Sequence, residues 1–189
     1  HQFALARDIA DRAAQLNPYS AAARGILADA YVQLRDYDNA VRVLDEMVRL
    51  KPNLSSYSRI SYMRELKGDT EGAIQAMQMA IAAGAPDAEN TAWCIVQLGN
   101  LYLGSLRPAQ AEAPSRAALL RFPNYVHGYA GLARVSAARK DYDSSTEFYR
   151  KAIDIVPMPE FLIELSAVYQ STGHTVEAKS QLELLARIK

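Results

Sequence analysis

The sequence predicts an all-α fold: an α-solenoid of stacked antiparallel helix pairs, with about 11 helices at a repeat length near 34. Three observations carry this. The chain repeats itself at a period near 34, with Pro18 and Pro52 34 residues apart and Pro123 and Pro157 spaced the same way. The segment Arg35-Asp36-Tyr37-Asp38-Asn39-Ala40 returns as Lys140-Asp141-Tyr142-Asp143-Ser144-Ser145, with variants at Lys67-Gly68-Asp69 and Gly173-His174-Thr175. Such a fixed period marks a repeat architecture, and apolar residues at helical spacing, with no sustained alternation and no Asn-Gly hairpin, make the repeated unit helical.

The elements follow in order. Residues 1–20 read as a half repeat, a second helix only, with Ala6, Ala10 and Ala13 ahead of Pro18. Residues 21–53 make a full pair, Leu27, Ala28 and Tyr31 on the first helix and Ala40 and Leu44 on the second, closed by Pro52. Residues 54–87 are the least regular pair, with Tyr57, Ile60 and Ser61, then Ala73, Met77 and Ala80. Residues 88–91 read as an inserted loop, the place for the superhelix to change pitch. Residues 92–125 carry Leu98, Gly99, Tyr102, Ala111, Ala118 and Pro123; residues 126–158 carry Tyr129, Leu132, Ala133, Tyr149, Ala152 and Pro157. The pair at 159–189, with Leu165, Ser166, Tyr169, Ala178 and Leu182, is truncated or weakly capped. Terminal repeats normally carry a polar capping face. The chain starts in mid-repeat and stops at a second helix, so a fragment of a longer protein is expected.

Together these residues resemble the tetratricopeptide repeat (TPR) family, whose pattern W-x2-L-G-x2-Y…A-x3-F…P spans about 34 positions. The stretch from Ala92 matches best, and Arg64 stands where the family carries an aromatic residue. Stacked pairs bury a continuous core that one pair cannot bury alone, and Gly99, Ala133 and Ser166 are small enough to let helices approach. The resemblance implies a right-handed superhelix and a non-enzymatic protein–protein interaction scaffold that holds an extended peptide or a partner helix in a concave groove.

At about 100° per residue, positions 4, 7, 8 and 11 of each repeat face the core, and positions 2, 5, 9 and 12 point away from it. The family's groove is lined by that second set, which here includes Asp29, Tyr62, Trp93, Val96, Asn100, His127 and Arg134, with Arg59 one step beside it. The expected partner-binding residues are Arg59, Tyr62, Trp93, Asn100, His127 and Arg134, because aromatic and arginine side chains dominate binding hot spots and an amide matches an extended backbone. Trp93 has two readings, a groove anchor or packing beneath the inserted residues. Arg59 and Arg134 also have two, free charges for a partner or ion pairs with Glu65 or other carboxylates. A chaperone-type carboxylate clamp is not expected, since Val96, Gly131, Glu160 and Glu164 occupy its other positions.

Lys+Arg and Asp+Glu both number 21, so the net charge is zero and gives no general pull toward nucleic acid or lipid. The charge is uneven, however. Residues 107–140 hold six basic groups against one acidic group, which points to an acidic protein or peptide partner there. Equivalent groove positions (Asp29, Tyr62, Asn100, Arg134, Ala167) show no base-reading code, so no nucleic acid is expected. No apolar run approaches the roughly 20 residues that cross a bilayer. His1, His127 and His174 are scattered, the glycines are dispersed, and Cys94 is the single cysteine. No catalytic residue, metal site or cofactor is therefore expected, and Cys94 reads as a small buried residue. The alternative role is a structural spacer or assembly segment beside a domain that carries the activity. No compartment is assigned.

Overall fold

A computed structural model describes residues 2–86 and 88–188. His1, Asp87 and Lys189, and with them the repeat limits set at those residues, lie outside the described residues. Among the described residues there are eleven helices and no strand: α1 (Phe3–Leu16), α2 (Ala21–Gln33), α3 (Tyr37–Leu50), α4 (Leu54–Leu66), α5 (Thr70–Ala82), α6 (Glu89–Gly104), α7 (Pro108–Arg121), α8 (Val126–Ala138), α9 (Tyr142–Ile155), α10 (Pro159–Ser171) and α11 (Thr175–Arg187). They fall into two compact units, one ending at Cys94 and the other starting at Ile95, so the division lies inside α6. In the first unit each of α1 to α4 packs on the helix that follows it, and α2 also touches α4. In the second, α7 to α10 each pack on the next.

The same turn joins the two helices of a pair at five places. Asp36, Asp69, Arg107, Asp141 and His174 each donate the backbone N–H to the carbonyl five residues back, and the preceding residue donates to the carbonyl three residues back. That is the Schellman pattern, which needs a left-handed residue just past the helix. Gly68 and Gly173 supply it at no steric cost, whereas Arg35, Leu106 and Lys140 hold φ near +60°. The next helix then starts at once, capped by Asp36, Asp69 and Asp141, whose carboxylates accept from Asn39, Gly72 and Ser144 N–H at 3.0–3.3 Å. Between repeats the chain is punctuated by proline. Asn17, Lys51, Phe122 and Val156 each precede a proline and each has left the helical region, with φ between −131° and −150°, because the pyrrolidine ring crowds the preceding residue out of it.

Close approach within a pair rests on two small residues 12 apart: Ala28 and Ala40, Ser61 and Ala73, Gly99 and Ala111, Ala133 and Ser145, Ser166 and Ala178. All are buried. Ser61 and Ser166 turn the proximity to use, donating to the carbonyls of Ala73 and Ala178 at 2.8 and 3.1 Å. Ser145 does not. It stands where the other pairs carry alanine, and its buried hydroxyl finds no hydrogen-bond partner among the described residues. Since an unsatisfied buried hydroxyl costs about 1–3 kcal/mol, Ser145→Ala is expected to stabilise the fold by about 1 kcal/mol. A urea midpoint that falls instead of rising would show that the hydroxyl is satisfied after all.

Each unit has its own apolar core. In the first it contains Leu27, Ala28, Val43, Leu44, Met47 and Met63; in the second, Tyr149, Phe161, Leu165, Val168 and Tyr169 around Ala130, Ala133 and Ala152. One expectation is corrected. Residues 88–91 are not a loop beyond Ala88: Glu89, Asn90 and Thr91 form the first turn of α6, at 16 residues the longest helix here. The reason is Thr91, which is buried and donates its hydroxyl to the Ala85 carbonyl at 2.7 Å, so the extra residues prolong the helix and place Asn90 one turn before Trp93.

Candidate functional site

In the unit that ends at Cys94, the first helices α2, α4 and α6 bring Arg59, Tyr62 and Trp93 to one open cavity of about 360 Å³, lined also by Asp29, Leu54, Ser55, Ser58 and Asn90. Trp93 is 42% exposed and Tyr62 49% exposed. The inserted residues beneath which Trp93 could pack are helix beyond Ala88, and Trp93 lines the cavity together with Asn90. Arg59 is paired, and its partner is Asp29 rather than Glu65. Nε and Nη2 donate to the two Asp29 carboxylate oxygens at 2.9 and 2.8 Å, and Nη1 donates to the Ser55 carbonyl at 3.2 Å. Burial meanwhile raises the Glu65 carboxyl above the usual carboxylate range.

In the other unit, Asn100 and Arg134 come together. Arg134 Nε donates to Glu164 Oε1 at 3.0 Å, and its Nη1 reaches Asn100 Oδ1 at 3.4 Å. Glu164 shares a cavity of about 410 Å³ with Arg134, Tyr149, Ala167 and Val168. Burial, reinforced by the Glu164 charge, pushes the Tyr149 hydroxyl far above its ordinary value. His127 stands away from this pair, its ring edge-on to Phe161 at 5.6 Å and to Tyr125 at 5.4 Å, with Nδ1 3.9 Å from Glu160. Val96, expected on the groove face, is 1% exposed. An added Cβ at Gly131 would lie 3.7 Å from its Cγ1, so Val96 packs against the backbone that glycine leaves open.

The two arginine pairs share one geometry. Asp29 and Arg134 occupy position 9 of their repeats, Arg59 and Glu164 position 6 of the next, and each pair is 30 residues apart. In these two repeats residues 33 apart occupy equivalent positions on adjacent first helices, so a spacing of 30 is three residues, nearly one helical turn, short of equivalence, which long side chains bridge. The basic stretch at 107–140 is partly neutralised in the same manner. Glu112 accepts from both Arg116, at 2.7 Å, and Arg139, at 2.6 Å, and these two guanidinium groups hold its carboxyl below the usual range.

Sequence reasoning missed Asn90, because an insertion has no position in a 34-residue register. Its spacing of three from Trp93 is the signal that places both on one helical face. Burial pushes the Cys94 thiol up to about 11, so no nucleophilic thiolate stands there at neutral pH. Among the described residues no group of three or more His, Cys, Asp or Glu is placed to hold a metal ion. No described helix is long and apolar enough to cross a membrane.

No curated protein matches the sequence. Solved structures match it throughout its length. A chain of the APC/C hetero-tetramer Cut9–Hcn1 is 14% identical with a TM-score of 0.81, the match covering 97% of this chain and 37% of that one. A tetratricopeptide repeat protein from Parabacteroides merdae is 17% identical with a TM-score of 0.76, covering 97% and 72%. YrrB, a TPR protein with an unusual peptide-binding site, is 14% identical with a TM-score of 0.60, covering 95% and 92%. At these identities the likeness is one of fold. Two family models, both described as tetratricopeptide repeat, match residues 1–60 and 96–157. With paired helices, buried small residues 12 apart and proline-punctuated repeats, the chain belongs to the tetratricopeptide repeat family, whose fold serves as a protein-interaction scaffold.

Proposed function

We propose that this protein is a non-enzymatic interaction scaffold that holds an extended peptide or a helix of a partner protein against its first helices, with Tyr62 and Trp93 as the principal anchors. The observation that carries the reading is that two large aromatic side chains, each more than two-fifths exposed, line one cavity. Aromatic side chains lose little conformational entropy on binding and offer an apolar body with a polar tip, which is why they recur at binding hot spots. Arg59 has a supporting role at that cavity, since its partners fix its position, and in the other unit Asn100 and Arg134, joined to each other and to Glu164, are separate candidate contacts. His127, a quarter exposed, is a further candidate contact of that unit. The acidic partner expected at residues 107–140 is left fewer cations to grip, because Arg116 and Arg139 share Glu112 and Arg134 holds Glu164. Charge is accordingly not what this proposal rests on.

The test is affinity capture with the wild-type protein, identification of the retained partner, and titration of that partner against Tyr62→Ala/Trp93→Ala. Loss of two anchors is expected to weaken binding by tenfold or more, on the order of a hot-spot truncation, with helical content and melting unchanged. Equal affinity for the double variant would refute the assignment and favour the spacer role.

A further inference from the structure

The cavity at Trp93 is lined by one cation and one anion, and they are engaged with each other. Arg59 meets Asp29 in the two-point fork that planar guanidinium and carboxylate groups favour, and its remaining terminal nitrogen is held by Ser55. Asp29 thereby balances the guanidinium charge, and Asp29 and Ser55 together take four of its five N–H groups. Three polar groups at the rim do remain without a partner among the described residues: the Trp93 indole N–H, the Tyr62 hydroxyl and the Asn90 amide. The walls between them are the two aromatic rings and Leu54.

We infer that this cavity selects an uncharged, apolar side chain on an extended segment of the partner protein, and that the Arg59–Asp29 pair makes it reject an acidic one. The inference rests on the proposed peptide-binding reading of the same face. An aliphatic or aromatic side chain gives up only water when it settles on the rings and Leu54. The segment's backbone supplies the acceptors and donors that the indole N–H, the hydroxyl and the amide lack. A carboxylate would be desolvated beside Asp29 without an open cation to compensate it, and such a mismatch discriminates between ligands as strongly as a good contact does. Recognition that does not depend on ion pairing is also insensitive to ionic strength.

Trp93 is the protein's single tryptophan, so its emission reports this cavity directly. The probes are N-acetylated, C-amidated pentapeptides Gly-Ser-X-Ser-Gly with X varied, titrated at low and high sodium chloride. Peptides with X as Leu, Ile or Phe are expected to bind at least tenfold more tightly than those with Asp or Glu, and to change less than threefold with salt. Asp29→Asn removes the charge that balances Arg59 and leaves the fold intact, since Asp29 is half exposed. It should raise affinity for the Glu peptide at least tenfold and make that affinity salt-sensitive. Tightest binding of the acidic peptides by the wild-type protein, weakening with salt, would overturn the inference while leaving peptide binding in place. Failure of every peptide to alter Trp93 emission would overturn it too. Partner titration against Tyr62→Ala/Trp93→Ala then decides separately whether the peptide-binding reading falls with it.

Discussion

Phe161→Ala is expected to destabilise the second unit by about 3–5 kcal/mol, the usual cost of removing a fully buried phenylalanine. Phe161 has no exposed surface, and it sits on α10 in the cluster that also contains Tyr149, Leu165, Val168 and Tyr169. Its surroundings limit relaxation. Ala130, Ala133 and Ala152 are too short to lean into the vacated space. His127 would also lose the ring against which it packs. In a repeat stack stability is a sum of local terms, so the damage should stay local. Hydrogen exchange read peptide by peptide tests this: α8 to α11 should lose protection while α2 to α4 keep theirs. Uniform loss across the chain would show that the two units unfold as one, and an unchanged pattern would show that Phe161 is not the core residue described.

Gly99→Leu is expected to cost about 1–3 kcal/mol or somewhat more, the price of overpacking. A Cβ built on Gly99 already lies 3.1 Å from the Ala111 carbonyl oxygen, with Pro114 Cβ at 3.5 Å and Ser115 Oγ at 3.6 Å. The nearest atom belongs to the backbone of α7 and cannot swing aside, so a leucine must separate two helices. Gly104, on the same helix, supplies the control. A Cβ there meets nothing within 4 Å, so Gly104→Ala should be neutral or mildly stabilising through helix propensity. Guanidinium midpoints of the two variants should therefore move apart. If Gly99→Leu melts like the wild type, α6 and α7 are not in the contact that the small-residue pair requires.

The repeat was legible because its determinants are local. A proline, a turn and two small residues 12 apart can each be read from a few adjacent positions, and their recurrence reinforces the reading. Arg64 in an aromatic position did not break the pattern, since its guanidinium reaches across to the second helix of the pair and donates to the Gly72 carbonyl at 3.0 Å. The turn at Leu106 was harder to see than that at Gly68, because leucine carries no signature of a left-handed backbone. Helical periodicity also indicated which side of its own helix each of Tyr62, Trp93, Asn100 and Arg134 occupies, but not what each touches. Arg59 was placed beside the groove set rather than in it, and the acid that holds it comes from the preceding repeat. Such a pairing depends on the stagger between adjacent first helices, a property of packing that spacing along one helix does not contain. Val96 failed as a groove residue for the same reason, being covered where Gly131 lets the next first helix come close.

The central claim is that the cavity bounded by Tyr62 and Trp93 is where a partner docks. Trp93 emission, followed while a captured partner is titrated and its binding is monitored independently through a label on the partner, tests that claim most directly. The account predicts a saturable blue shift of the single tryptophan, with the same midpoint as the labelled partner's signal. Saturation of the label while Trp93 emission stays at its free value would contradict it.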